Sequence, residues 1–219
     1  MKILAVSDIH NDIYRTRKLK EIVTSENPDV IVVAGDFTSF GPLSTASEIL
    51  KELQSIGKKV LAVTGNGDPK GVSDLLEKNS ANLSNKPSKI KEVGLTGFGV
   101  PSVAKLGELL IMNYDSLDKE FKEISKCEHK VLVSHFPPLG TKVDEIFSGE
   151  HIGSEVLREL IEERQPDVVI CGHVHEARGT DKIGKTLIVN PGALCDGYVA
   201  LIELGRGEPK TKFIPVGKP

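Results

Sequence analysis

The chain has 219 residues, 39% of them apolar and 27% charged, with a formal net charge of −3. That length suffices for one large domain with its own core, expected over residues 1–219, and the near balance of charge excludes broad nucleic-acid binding. No apolar run approaches the ~20 residues that span a bilayer, and Ile3 to Val6 is too short for a signal-peptide core before Asp8, so a cytoplasmic protein without membrane contact is expected.

In chain order the pattern begins strand, helix, strand. Ile3 to Val6 is a short apolar run, Ile13 to Thr24 carries Leu19, Ile22 and Val23 at helical spacing, and Asn27-Pro28 stops that helix before Val30 to Ala34. A helix from Thr45 to Ile56 ends at Gly57 and leads to the strand Lys59 to Thr64, which predicts parallel strands joined by helical crossovers. Asp68 to Gly107 is less regular, with a short helix at Val72 to Lys78, β-like segments within Ile90 to Val100, and decorated loops of the kind that carry specificity. Regularity resumes with a helix at Leu117 to Lys126, the strand Lys130 to Ser134, a loop rich in Pro and Gly, a helix from Ser154 to Glu163 capped by Ser154, and the run Val168 to Cys171. Lys182 to Val189 and Tyr198 to Leu204 read as antiparallel strands closing a second sheet, with an edge strand near Thr211 to Ile214. Asn27-Pro28-Asp29-Val30 leading to Gly35-Asp36 is echoed by Gln165-Pro166-Asp167-Val168 leading to Gly172-His173, which suggests two similar βα halves facing each other.

The chemistry sits at the ends of the apolar runs. Ile3 to Val6 precedes Asp8 and His10, Val30 to Ala34 precedes Asp36, Val60 to Val63 precedes Asn66, Val131 to Val133 precedes His135, and Val168 to Cys171 precedes His173 and His175. Buried strands of a layered α/β sheet place their carboxyl ends along one edge, where ligands bind, so donors far apart in sequence can converge. Glycines at 35, 65 and 172 stand directly before three of them, where a Cβ would obstruct a sharp turn or close approach. Carboxylate, imidazole and amide oxygen without thiolate suit borderline to hard divalent ions, Mn²⁺ first, with Fe, Zn or Ni as alternatives. Seven donors exceed the needs of one ion and suit two ions about 3.5–4 Å apart with one carboxylate bridging. The three cysteines, Cys127, Cys171 and Cys195, show no CxxC spacing, which argues against a disulfide framework or a thiolate zinc knuckle, and Cys171 reads as core packing.

Asp8-Ile9-His10, Gly35-Asp36, Gly65-Asn66, His135 and Gly172-His173-Val174-His175, in this order, resemble the calcineurin-like metallophosphoesterases. The resemblance implies an α/β fold, a four-layer α-β-β-α sandwich of two mixed sheets flanked by helices. It also implies two metal sites. Asp8, His10 and His175 would hold the first ion and Asn66, His135 and His173 the second, with Asp36 bridging both together with a hydroxide that attacks phosphorus in line.

One position departs from the family pattern. Many members carry histidine directly after the asparagine as a group that assists the leaving group, and this chain has Gly67. His151, in the loop ahead of the Ser154 helix, is the candidate replacement, with an ordinary exposed loop histidine as the rival. Asn11 could donate to a phosphate oxygen or cap the first helix, and Arg178 could clamp a phosphate or pair with Glu176 or Asp181. Asp68 could steady the Asn66 loop, and Asn190-Pro191-Gly192 reads as a structural turn near the site. The expected activity is hydrolysis of a small phosphodiester or phosphomonoester, the diester preferred, with Asp36 and Asn66 at its centre. A metal-binding scaffold, as in the phosphoesterase-like retromer subunit that also lacks this histidine, is the alternative, and a homodimer is left open.

Overall fold

A computed structural model of the chain describes residues 1–84, 86–100 and 117–217. Its strands and helices follow from where apolar residues alternate. In β1 (Lys2–Val6), β2 (Val30–Ala34) and β3 (Lys59–Val63), nearly every residue is buried, because both faces of the sheet are covered. Odd and even positions go to different cores. Ile3, Ala5, Val30 and Val32 face the second sheet, while Leu4, Val6, Ile31 and Val33 pack against Leu19, Ile49 and Leu53 of the helices α1 (Ile13–Glu26) and α2 (Leu43–Ser55). A side chain of this size contributes about 1.5–3 kcal/mol on full burial. α3 (Val72–Lys78) adds Val72 and Leu76 to the same outer core.

The second sheet contains β4 (Ser88–Ile90), β5 (Val93–Phe98), β6 (His129–Ser134), β7 (Val168–Ile170), β8 (Gly179–Ile183) and β9 (Thr186–Asn190). Its outer face is covered by α4 (helical residues 117–123) and α5 (Glu155–Arg164), through Leu117, Phe121, Leu157, Leu160 and Ile161. Helices, sheet, sheet and helices make four layers, the α-β-β-α sandwich expected. Both sheets are mixed: β1, β2 and β3 run parallel in one, and β5, β6, β7 and β9 in the other, with the remaining strand pairings antiparallel.

The tail differs from the sequence expectation. β10 (Tyr198–Glu203) pairs with β1, Leu4 opposite Leu201, and β11 (Lys210–Pro215) extends that first sheet, so only the β8–β9 hairpin closes the second. The run Lys182 to Val189 is two strands, turning at Gly184 with φ 58°. The Ile90 to Val100 segment is likewise a hairpin of β4 and β5. Residues 101–107 of the irregular stretch lie outside the described residues. Among the described residues no helix is long and apolar enough to cross a membrane.

The internal echo has a shared hydrogen-bond origin. Asn27 and Gln165 end α1 and α5 in the left-handed conformation, their N–H groups returning to Val23 O and Ile161 O. Two residues on, Asp29 Oδ2 accepts from Lys2 N–H at 2.7 Å and Asp167 Oδ2 from Lys130 N–H at 2.8 Å, each registering its strand against the neighbouring one. At the other end of α1 the cap is Asp12, whose carboxylate accepts from Arg15 N–H at 2.8 Å. Asp12→Ala is expected to cost about 1 kcal/mol of stability, the ordinary value of an N-cap, measured by urea denaturation.

Candidate metal centre

β1, β2, β3, β6 and β7 bring their carboxyl ends to one edge, and the residues just beyond them meet there. The backbone is strained at this edge. Asp8, His10, Asp36 and His173 all have positive φ, between 47° and 69°, a region costly for residues with a Cβ. The contacts that hold these turns are local to the site: Asp8 N–H donates to Gly35 O, Ile9 and His10 N–H to Asp36 O, and His173 N–H to Asp8 Oδ2.

The side chains fall into two neighbourhoods. In the first, Asp8 Oδ1 is 3.6 Å from His10 Nε2 and 3.5 Å from His175 Nε2, and the two imidazole nitrogens are 3.2 Å apart. In the second, His135 Nε2 is 2.9 Å from Asn66 Oδ1, and the His173 ring lies 5.2 Å from the His135 ring. Asp36 stands between them. Its Oδ2 is 3.8 Å from His10 Nε2 and 3.5 Å from His135 Nε2, while its Oδ1 is occupied by Gly67 N–H at 2.7 Å. Gly65 makes that position available, since a Cβ there would lie 2.0 Å from Asp36 Oδ1.

These groups fit divalent cations on three observations. Asp8 is 1% exposed and its Oδ2 is satisfied by Ser7 Oγ–H at 2.6 Å, but Oδ1, facing the two imidazoles, has no hydrogen-bond partner. His135 Nδ1–H donates to Ala34 O at 2.8 Å, so in the neutral ring Nε2 presents a lone pair to the Asn66 oxygen, an acceptor facing an acceptor. Both carboxylates are buried, and among the described residues neither is paired with a lysine or arginine.

Electrostatics agree with the geometry. Burial raises the Asp36 carboxyl above its ordinary value, the Asp8 charge adds to this, and His135 and the Gly67 N–H oppose it. Burial acts on Asp8 too, but His175, His135 and the Ser7 hydroxyl outweigh it and hold the carboxyl down at about 2. Burial, with the His135 charge second, lowers His173 to about 4. His175 is raised, first by its interaction with Asp8 and then by Asp196, against the effect of burial.

These two histidines make metal uptake depend on pH. His173 is neutral at pH 7 and already has its lone pair free. His175, raised above 6.5, retains a proton fraction in the metal-free protein that a cation must displace. Metal uptake at pH 7 is therefore expected to release protons, and affinity to rise with pH until His175 is fully deprotonated. Calorimetric titrations in buffers of different ionisation enthalpy check this, and a buffer-independent heat at pH 7 would contradict it. The His173 contribution to metal-free stability should also fall as pH drops from 6.5 towards 4, where the unfolded chain takes up a proton that buried His173 refuses. The raised Asp68 and Asp36 carboxyls act in the opposite direction over this window, so the His173 share is read as the difference between melts of the parent and of His173→Ala.

The remaining sequence candidates make other contacts. Asn11 does not cap α1, a role Asp12 fills, and its side chain lies beside Gly41. Arg178 has its guanidinium 3.7 Å from the Tyr198 ring, a cation–π contact that replaces the ion pair with Glu176 or Asp181. His151 does not join the cluster. It is bonded to Asp144 Oδ1 at 2.9 Å, within a loop that Asp144 organises by accepting from the Gly140, Thr141 and Gly153 amides. Asp68 takes the anchoring part expected of it, accepting from Gly65 and Thr38 N–H, and burial raises it to about 7. Asn190 Nδ2 donates to Val174 O, fixing the backbone between His173 and His175.

Three residues at the site escape a search confined to strand ends. Ser7 donates to Asp8, Asp196 holds His175 Nδ1 at 3.2 Å, and Cys195 lies with a potential ligand atom within 4.8 Å of those of His10 and His175. Cys195 and Asp196 belong to a 3₁₀ turn, Leu194–Asp196, pinned to β1 by Leu194 N–H to Ser7 O at 2.8 Å. In the metal-free protein, burial and then the charges of Asp196, Asp8 and Asp12 push the Cys195 thiol up to about 12.

Two packed mixed sheets whose strand ends gather carboxylate, imidazole and amide donors at one edge define an α/β sandwich with a candidate metal centre. Residues 1–204 match the calcineurin-like phosphoesterase superfamily domain, and the chain belongs to that superfamily. It is 33% identical over 197 residues to an uncharacterised protein, MJ1162, of Methanocaldococcus jannaschii, covering 87% of this chain and 88% of that one. It is 26% identical over 199 residues to the phosphodiesterase MJ0936 of the same organism, covering 91% and 87%. Among solved structures, TT1561 of Thermus thermophilus shares the fold, with a TM-score of 0.74 at 18% identity over 96% of this chain and 97% of that one.

Proposed function

We propose that the protein is a dinuclear-metal-dependent phosphoesterase that hydrolyses small phosphate esters, phosphodiesters in preference to monoesters. The observation that carries it is the placement of Asp36 Oδ2 between His10 Nε2 and His135 Nε2, 3.8 and 3.5 Å away, one buried carboxylate oxygen shared by two donor sets. Asp8, His10 and His175 would hold one ion and Asn66, His135 and His173 the other. Divalent ions at such a site supply charge to the equatorial phosphoryl oxygens and make water nucleophilic near neutral pH.

The chain's own residues prepare that chemistry. Ser7 and the His173 amide tie down Asp8 Oδ2 and leave Oδ1 aimed inward. Ala34 O fixes the His135 tautomer and Asp196 orients His175, the outer contacts that keep imidazole lone pairs on target. The diester preference rests on Gly67, which offers no proton to a poor leaving group, and on likeness to MJ0936, named a phosphodiesterase. His151 stays a candidate acid only if its loop brings it inward from Asp144, and Asn11 and Arg178 remain candidates for contact with the phosphate. Mn²⁺ suits the donor set, with Fe, Zn or Ni as alternatives, and a cytoplasmic setting suits the free cysteines.

The same glycine, with Phe40 and Phe147 77% and 93% exposed, favours a second reading, a metal-binding scaffold that docks a partner. Metal-stripped protein assayed on bis-p-nitrophenyl phosphate and p-nitrophenyl phosphate before and after Mn²⁺, with metal content measured on the same samples, separates the two. Turnover restored by about two ions per chain, faster on the diester, is the expected result. Two ions bound with no turnover on either ester would overturn the hydrolase in favour of the scaffold.

A further inference from the structure

The donors recognised from the sequence contain no sulfur, yet the fold sets one beside them. Potential ligand atoms of His10, His175 and Cys195 all lie within 4.8 Å of one another. The backbone builds this proximity. Cys195 N–H donates to the carbonyl of Asp8 itself at 3.2 Å, and Leu194 N–H to Ser7 O at 2.8 Å, so the turn carrying the thiol is fastened to the strand end carrying the carboxylate. The next residue, Asp196, holds the far nitrogen of His175. An independent feature points into the same space: Asp8, its side chain 2% exposed, leaves Oδ1 without a hydrogen-bond partner, 3.5 Å from His175 Nε2 and 3.6 Å from His10 Nε2.

We propose that Cys195 Sγ is a further ligand of the ion held by Asp8, His10 and His175, and that it tunes this half of the centre towards thiophilic divalent ions over Mn²⁺. The proposal rests on the dinuclear reading above and gives its two halves different chemistry. The second half, Asn66, His135 and His173 with Asp36, offers only oxygen and nitrogen. The first combines carboxylate and imidazole with a soft donor, the ligand type that selects Zn²⁺ and its neighbours over Mn²⁺. Coordination exchanges the S–H bond for an S–metal bond, and the proton leaves to solvent, so no oxidant or reductant is needed.

Cobalt reports sulfur ligation directly, without reference to turnover. Metal-stripped full-length protein loaded with Co²⁺ is expected to show a near-ultraviolet sulfur-to-cobalt charge-transfer band, kept in Cys127→Ser and lost in Cys195→Ser. In the latter the preference for Zn²⁺ over Mn²⁺ should fall by about 10-fold or more. A second measurement needs no variant: Zn²⁺ should protect Cys195, mapped by mass spectrometry, from iodoacetamide while leaving Cys127 labelling unchanged. Two bound cobalt ions with no charge-transfer band, a band unchanged in Cys195→Ser, or alkylation of Cys195 indifferent to Zn²⁺ would each overturn the cysteine proposal and leave the dinuclear centre standing. Failure to bind cobalt at all would overturn both.

Discussion

Replacing Asp36 with asparagine is expected to lower hydrolysis of bis-p-nitrophenyl phosphate by about 10³-fold or more, the loss of roughly 4 kcal/mol of charge stabilisation. Metal content should fall from about two ions per chain to one or fewer. Size does not explain this, because the amide is nearly isosteric with the carboxylate. Asp36 Oδ1 accepts the Gly67 N–H at 2.7 Å, so an asparagine keeps its oxygen there and turns its NH₂ to where Oδ2 now stands. That is the position 3.8 Å from His10 Nε2 and 3.5 Å from His135 Nε2, and a group with two protons and no free lone pair repels a cation on either side. The metal-free variant should be no less stable than the parent, since burial and the neighbouring Asp8 charge already penalise the ionised carboxylate. Only the stabilisation gained by adding metal should disappear. Kinetics, metal analysis and thermal melts with and without Mn²⁺ test all three parts. Two retained ions with unchanged turnover would mean that Asp36 does not bridge.

The donors at the five strand ends were legible because their strands are covered on both faces, which compresses each into a short unbroken apolar run ending abruptly on a polar residue. Ile31-Val32-Val33-Ala34 before Gly35-Asp36 is the clearest instance. The tail was misplaced for a related reason. Tyr198–Glu203 has the same strand character whichever sheet receives it, and its assignment depends on the pairing of Leu4 with Leu201, a contact between chain ends that no local pattern encodes. Cys195 was missed because it lies on a 3₁₀ turn, and only Leu194 N–H to Ser7 O and Cys195 N–H to Asp8 O carry it to the site. His151 drew notice by chain position alone. Its loop instead folds on itself through Asp144, which collects backbone amides on both sides of the histidine and holds the imidazole as well.

Installing at position 67 the histidine that the family resemblance implies is expected to weaken the protein and not to supply the missing acid. A Cβ on Gly67 would sit 2.7 Å from Thr38 O and 3.0 Å from Asp36 Oδ2. Neither neighbour yields easily. The loop carrying Thr38 is clamped over Gly67 by Thr38 N–H to Asp68 at 3.0 Å, Thr38 Oγ1–H to Gly67 O at 3.0 Å and Phe40 N–H to Gly67 O at 2.8 Å. Relief of the overlap must lift this loop or push Asp36 out of line, at about 1–3 kcal/mol of stability for overpacking. A displaced Asp36 weakens both halves of the centre, which should outweigh the roughly 10²–10⁴-fold that a well-placed acid can supply. Gly67→Ala is the control, since it carries the same Cβ without the imidazole, and both variants should lose stability, metal affinity and turnover to a similar extent. Across diesters with leaving groups of increasing pKa, Gly67→His should keep the steep dependence of the parent, because no proton reaches the departing oxygen. A flattened dependence together with two retained ions would show that the site can accept the acid after all. If the dependence stays steep, the preference for good leaving groups lies in the same backbone contacts that hold the shared carboxylate, and relieving one means disturbing the other.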